Sequence, residues 1–175
     1  KQLQVETFIY FSTAHVYGTP LLGSYSELSV PRPNRPYAYS HLAAENIVLA
    51  SYNSMGKGIP NPVVIRLSNS FGAPISHSVN CWTLLINDLC RQAIVDGVCT
   101  LKSDGQDLRD FIPISDVERA IEHVILSKPG PDCFNLAVGK GITILDMAKK
   151  VAKLASNFLG KEVPLKIGPS LRPNG

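Results

Sequence analysis

Residues 7–18 have the sequence TFIYFSTAHVYG, an apolar, β-rich run that ends in small and polar residues. Its first part, residues 7–12, lacks the strict alternation of apolar and polar side chains that marks a half-exposed strand. The pattern therefore predicts a strand buried within a parallel sheet. Residues 18–36 follow as a loop rich in Gly, Pro and Ser, and loops this long within compact domains are typically functional or mobile.

Beyond this loop, helical and strand-like segments alternate. Periodicity and the end signals Pro36 and Gly97 predict helices over residues 37–55, 82–96, 117–126 and 144–157. Asp116 and Thr143 are the predicted N-caps of the last two helices. Short apolar runs predict strands at residues 63–67, 99–103, 110–114 and 133–137. This alternation predicts the α/β class with parallel strand pairing.

Composition excludes several classes of protein. The chain is 45% hydrophobic and 18% charged, as in globular proteins. A net charge of +3 with scattered Lys and Arg argues against a nucleic-acid partner. No apolar stretch approaches the roughly 20 residues of a membrane helix. The four cysteines show no metal-ligand spacing, which predicts no metal site and buried free thiols in a cytoplasmic protein.

The pyrophosphate-binding loop of a dinucleotide-binding domain has no candidate in this sequence. Neither Gly-x-Gly-x-x-Gly nor Gly-x-x-Gly-x-x-Gly occurs in the 175 residues. We therefore expect this chain by itself not to bind a dinucleotide tightly.

Four segments in order resemble the extended short-chain dehydrogenase/reductase family, specifically its nucleotide-sugar epimerases and dehydratases. They are FSTAHVYG (11–18), RPYAYSHLAAEN (35–46), RLSNSFGAP (66–74) and DGQDLRDFIPISDV (104–117), followed by FNLAVGKG (134–141) and LRP (171–173). The resemblance implies part of a Rossmann-like parallel sheet, with the N-terminal half missing, and a small α/β substrate domain. It places residues 1–72 in the dinucleotide-binding domain and residues 73–175 mainly in the substrate domain, with residues 110–127 returning to the first.

The resemblance also implies catalytic roles. Thr13 would hydrogen-bond the reacting sugar oxygen, although a threonine at a strand end can also bond its own turn. Tyr37 would be the base that takes the proton from the sugar hydroxyl. A free tyrosine has a pKa of about 10, and the family lowers it with a lysine four residues on, which also binds the nicotinamide ribose. Here His41 occupies that position. A neutral imidazole can bond a ribose hydroxyl but supplies a weaker field.

Three further residues match substrate-binding positions of the family. Asn69 follows a strand and would contact the nucleotide-sugar, although Asn is also a common turn former. Arg109 would clamp the diphosphate, because a guanidinium bonds two phosphate oxygens at once; a surface ion pair with Asp107 or Asp110 is the alternative. Arg172 resembles a second nucleotide-binding arginine. Arg66, by contrast, lies within an apolar strand, which predicts a structural role with a buried partner.

The reaction implied by the resemblance is 4-epimerisation of a nucleotide-sugar through a 4-keto intermediate, with NAD or NADP as cofactor. Family dehydratases carry an Asp and a Glu directly after the catalytic threonine, where this chain has Ala14 and His15. A 4,6-dehydratase or ketoreductase, or an inactive nucleotide-sugar binding module, remains the alternative. The resemblance further implies a homodimer formed through the Tyr37 helix when the protein is full length.

Overall fold

The computed structural model of the chain describes residues 5–55, 59–76 and 78–170. The chain divides into two compact units. The first unit comprises Lys1–Ser70 and Ile112–Gly139, and the second comprises Phe71–Phe111 and Lys140–Gly175. Both units therefore contain two separate stretches of the chain. The division after Ser70 lies two residues from the predicted boundary at residue 72.

The elements in chain order are β1 (Thr7–Thr13), a 3-10 turn (Ala14–Tyr17), α1 (Pro36–Met55), β2 (Asn61–Leu67), β3 (Asn69–Phe71), α2 (Leu85–Val95), β4 (Cys99–Thr100), β5 (Leu108–Pro113), α3 (Ile114–Ser127), β6 (Asp132–Leu136), β7 (Gly141–Thr143), α4 (Ile144–Leu159) and β8 (Leu165–Lys166). Across the described ranges, none of the helices combines the length and the apolar character needed to span a bilayer.

The first unit is built on a parallel sheet with the strand order β1-β2-β6. Thr13 lies opposite Leu67, so β1 and β2 end at the same edge of the sheet. The apolar side chains of β2 pack with α3 in a core that includes Val63, Ile65 and Val124. The predicted α/β class with parallel pairing is confirmed in this unit, because β1 and β6 both pair with β2 in parallel orientation. β2 is buried along most of its length, as expected for a strand covered on both faces.

The burial predicted for β1 is only partly correct. Ser12 and Thr13 are buried, but Phe8 and Phe11 are 48% and 44% exposed. Phe8 and Phe11 lie three residues apart and therefore point to opposite faces of the sheet, and the described residues cover neither side chain fully. An apolar run shows that a strand can be covered on both faces, but it does not show which segment covers it.

The second unit has a mainly helical core. Helices α2 and α4 pack together, and the buried side chains are Ile86, Leu89, Ala93, Cys99, Leu101, Phe111, Ala148, Val151, Ala152 and Val163. β5 pairs with β7 in antiparallel orientation, which differs from the parallel pairing predicted for the whole chain. β3, β7 and β8 were not predicted, because strands of two or three residues have no measurable periodicity.

One of the two predicted helix caps is confirmed and the other is wrong. The Thr143 side chain accepts a hydrogen bond from the Asp146 N–H and caps α4. Helix α3, however, begins two residues before Asp116, and its N-cap is Pro113. Asp116 lies in the first turn and pairs with Arg119, three residues on. An acidic residue is favourable both at the N-cap and in the first turn of a helix. The sequence alone therefore does not show which of these two positions Asp116 occupies.

Candidate active site

One face of α1 meets one face of β1 in the first unit. Tyr37, His41 and Glu45 are four residues apart and lie on the same side of the helix. Tyr10 and Ser12 are two residues apart in β1 and point to the same side of the sheet. Two side-chain pairs join the faces, Tyr10 with His41 and Ser12 with Glu45. These contacts bring polar side chains of β1 and α1 together on one side of the sheet.

The two residues predicted as the base and its partner are in contact. The rings of Tyr37 and His41 lie 4.5 Å apart, with their planes at 61°. The Tyr37 side chain is 57% exposed and His41 is half-buried. His41 Nδ1 lies 3.1 Å from the Tyr10 hydroxyl. Burial, with smaller effects of Glu45 and Tyr37, raises the pKa of Tyr10 above its ordinary value, so this hydroxyl remains protonated.

Thr13 lies at the carboxyl end of β1 and is buried. Its Oγ1 accepts a hydrogen bond of 3.3 Å from the His15 N–H, which is the local turn contact considered as the alternative to a catalytic role. That contact uses an oxygen lone pair and leaves the hydroxyl proton available as a donor. The structural role of Thr13 in its turn and the proposed role toward a sugar oxygen are therefore compatible.

A buried ion pair lies behind this site. Arg66 on β2 bonds Glu45 on α1, with Nη2 2.7 Å from Oε2 and Nε 3.2 Å from each carboxylate oxygen. Ser12 donates its hydroxyl to Glu45 as well. Burial opposes the Arg66 charge, but hydrogen bonds with Glu45 and Tyr17 outweigh it and hold the pKa of Arg66 above its ordinary value. The predicted buried partner of Arg66 is thus confirmed and identified as Glu45.

The same network anchors the long loop after β1. Arg66 Nη1 donates to the Tyr17 hydroxyl at 2.9 Å, and Tyr17 donates to the Asn135 side-chain oxygen at 2.7 Å. The Asn135 N–H in turn donates to the Glu27 carboxylate, and the Tyr25 ring stacks on Tyr17 at 5.0 Å. Residues 18–35 are therefore tied to β2 and β6 through these side chains.

The predicted substrate-binding residues lie on strands. Asn69 begins β3, two residues after the end of β2, and is half-buried. Arg109 is the second residue of β5 in the second unit, opposite Ile142 of β7, and it is half-buried. The ion pairs found among the described residues do not include one between Arg109 and Asp107 or Asp110. Arg172 lies outside the described residues.

Two polar atoms at the α1–β1 face could hydrogen-bond a ligand hydroxyl. Within the described part of the chain, the Tyr37 hydroxyl and His41 Nε2 form no hydrogen bond, so both can contact a ligand. The described ranges contain no group of three or more His, Cys, Asp or Glu side chains that could hold a metal ion.

Sequence reasoning missed Tyr10 and the Tyr17–Asn135 contact. Tyr10 was treated only as part of an apolar strand, although its spacing from Ser12 places both on one face. Tyr17 and Asn135 are 118 residues apart in the chain, and no local pattern relates them.

Comparison with known proteins identifies the family of the chain. A profile of the NAD dependent epimerase/dehydratase family matches residues 1–137. A dTDP-D-glucose 4,6-dehydratase of Dictyostelium discoideum is 27% identical over 89% of this chain and 36% of its own length. A dTDP-L-rhamnose 4-epimerase of Burkholderia thailandensis is 32% identical over 77% of this chain and 36% of its own length.

The fold is also that of solved structures. A UDP-glucuronic acid 4-epimerase from Bacillus cereus, solved with UDP-glucuronic acid and NAD, superposes with a TM-score of 0.75 at 23% identity. The match covers 97% of this chain and 50% of that protein. The chain therefore spans about half of that structure, and less than half of the two relatives named above.

Proposed function

Because the chain belongs to the NAD dependent epimerase/dehydratase family, we propose that it forms part of a nucleotide-sugar 4-epimerase. The observation that favours epimerisation over dehydration is the identity of the two residues that follow Thr13. Ala14 and His15 fill the two positions at which a dehydratase needs acids, and Ala14 cannot carry a proton.

The proposed chemistry assigns one task to each side chain. Tyr37 accepts the proton of the sugar C4 hydroxyl, and Thr13 donates a hydrogen bond to the same oxygen. His41 offers Nε2 to a ribose hydroxyl of the cofactor. Arg109 bonds the diphosphate of the substrate, so that the sugar can turn while its nucleotide stays bound. The bound NAD would supply the hydride chemistry at C4.

The contacts of His15, Glu45 and Glu27 also support epimerisation over dehydration. His15 Nδ1 lies 3.2 Å from the Thr19 hydroxyl, so the loop already engages this ring. Glu45 is held by Arg66 and Ser12. The hydrogen bond from the Asn135 N–H lowers the pKa of Glu27, which therefore remains ionised and is a poor proton donor. None of these three residues is placed as a free acid for the removal of water.

A 4,6-dehydratase is the second candidate, and the relatives favour it. Besides the Dictyostelium protein, dehydratases from Streptomyces niveus and Bos taurus match 83% and 87% of the chain at 28% and 30% identity. Sequence similarity of this degree identifies the family but not the reaction, because a few residues beside Thr13 distinguish the two activities.

Product analysis decides between the candidates. The complete enzyme is incubated with NAD and with UDP- and dTDP-hexoses, and the mass and sugar configuration of each product are measured. We expect an epimer with the mass of its substrate. A product lighter by one water would refute 4-epimerisation and establish the dehydratase.

Tyr37→Phe is the matched control for this experiment, because it removes only the hydroxyl of an exposed ring. We expect turnover to fall by at least about 100-fold, the usual contribution of a positioned base. Undiminished turnover would contradict the role of Tyr37 and, with it, the proposed mechanism.

A further inference from the structure

The contact between Tyr10 and His41 is not explained by the roles assigned so far. Tyr10 lies in the middle of β1, half-buried, with its hydroxyl 3.1 Å from His41 Nδ1. The rings are 6.0 Å apart and tilted by 36°, so the hydrogen bond rather than stacking joins them. On its other side the His41 ring meets the edge of Tyr37. His41 is therefore held between a strand and its own helix.

The direction of this hydrogen bond determines which nitrogen of His41 carries the proton. A neutral imidazole has one N–H and one acceptor nitrogen, and the partner of one nitrogen selects the tautomer. The 3.1 Å contact by itself allows either direction. Because the Tyr10 hydroxyl stays protonated, it can donate to Nδ1, and this is the direction that a positioning role of Tyr10 requires.

We propose that Tyr10 is a positioning residue for His41. Its hydroxyl bond to Nδ1 holds the imidazole in the tautomer that carries the proton on Nε2. That N–H is then directed as a donor for a ligand hydroxyl, which is the task of His41 in the proposed function, on which this inference rests. A lysine has three donor protons and no tautomers, so it would not need such a partner.

Nitrogen NMR tests the tautomer without any measurement of activity. The full chain is labelled with ¹⁵N-histidine, and the His41 signals are identified by their loss in His41→Asn. Above the titration range of the ring, we expect Nε2 to be protonated in the unmodified chain and a mixture of tautomers in Tyr10→Phe. Tyr39→Phe is the control, because Tyr39 lies on the same helix and is exposed. A proton on Nδ1 in the unmodified chain, or the same tautomer in Tyr10→Phe, would overturn the proposal.

A double-variant cycle tests the link to catalysis in the complete enzyme. We expect Tyr10→Phe to reduce kcat about 3- to 10-fold, the range for loss of one hydrogen bond. In the His41→Lys background the same change should reduce kcat less than about 2-fold, because no tautomer remains to be selected. Equal losses in both backgrounds, or no loss in the presence of His41, would overturn the positioning role.

The two proposals fail in different ways. If Tyr37→Phe retains turnover, the proposed function is wrong, while the NMR result still decides whether Tyr10 sets the tautomer. If Tyr37→Phe is inactive but Tyr10→Phe keeps both the His41 tautomer and the kcat of the unmodified enzyme, only the inference about Tyr10 is lost.

Discussion

His41 occupies the position at which the family resemblance implies a lysine, and the structure shows how a histidine is accommodated there. Its ring contacts Tyr37, and Nδ1 is bound to Tyr10. In His41→Lys we expect activity at neutral pH to be retained or raised, because an ammonium group one turn away favours the ionised form of the tyrosine base.

The pH–rate profile of kcat/KM provides the measurement for His41→Lys. The ascending limb reports deprotonation of the base, so it should move to lower pH in the variant. Unchanged profiles would show that the group at this position does not tune the base.

Arg109 is the residue proposed to hold the diphosphate. The residue is half-buried on β5, opposite Ile142 of β7. Arg109→Ala in the complete enzyme should weaken nucleotide-sugar binding by roughly 2–5 kcal/mol if the charge pair is desolvated. Calorimetry with the nucleotide-sugar and with NAD makes the comparison, since NAD binding should not change. Equal loss of both ligands would indicate misfolding.

At the scale of elements, the Glu45–Arg66 pair joins α1 to β2. Both side chains are buried, at 2% and 9% exposure, so removing one partner leaves an uncompensated charge. Glu45→Gln should lower the free energy of unfolding by about 3–5 kcal/mol, whereas replacing both residues with Met should cost less.

Urea denaturation of these variants measures the effect. Arg119→Met is the matched control, because it removes an exposed ion pair with Asp116 and should cost only about 0–1 kcal/mol. Equal losses in Glu45→Gln and Arg119→Met would contradict the importance of burial.

Helix α4 provides a local test of capping. The Thr143 hydroxyl accepts the Asp146 N–H at 3.0 Å, and its loss in Thr143→Ala should cost about 1 kcal/mol. Asp116→Ala should cost less, because Asp116 lies within the first turn of α3 and does not cap it. Thermal unfolding of both variants measures the loss of stability in each. A larger loss of stability in Asp116→Ala than in Thr143→Ala would contradict the assigned caps.

At the scale of the whole molecule, the residues proposed for one end of a cofactor site are present without a candidate for the other end. Tyr37 and His41 are the residues proposed to contact the nicotinamide ribose, but no glycine-rich loop occurs in the 175 residues. Such a loop and the helix that follows it provide most of the binding to pyrophosphate. Residues 1–175 by themselves should therefore not bind NAD at micromolar concentration. Calorimetry with the chain alone checks this, and micromolar binding would reveal a different pyrophosphate site.

The sequence by itself determined the features that depend on neighbours along the chain. The apolar run of β2 specified a buried parallel strand, Thr143 specified the start of α4, and the spacing of Tyr37 and His41 placed them on one helix face. Each of these features follows from the side-chain periodicity of a strand or a helix, two or 3.6 residues, or from the capping residue of one helix. A short segment of sequence is enough to identify either signal. The roles of Thr13 and Tyr37 came from resemblance to a family and remain proposals.

Only the tertiary structure decided which distant side chains meet. Tyr10 and His41 are 31 residues apart, and Glu45 and Arg66 are 21 apart. The antiparallel pairing of β5 with β7 and the exposure of Phe8 and Phe11 were likewise invisible in the sequence. The physical reason is common to all of them: local periodicity fixes the face on which a side chain lies, whereas its partner depends on how the elements pack.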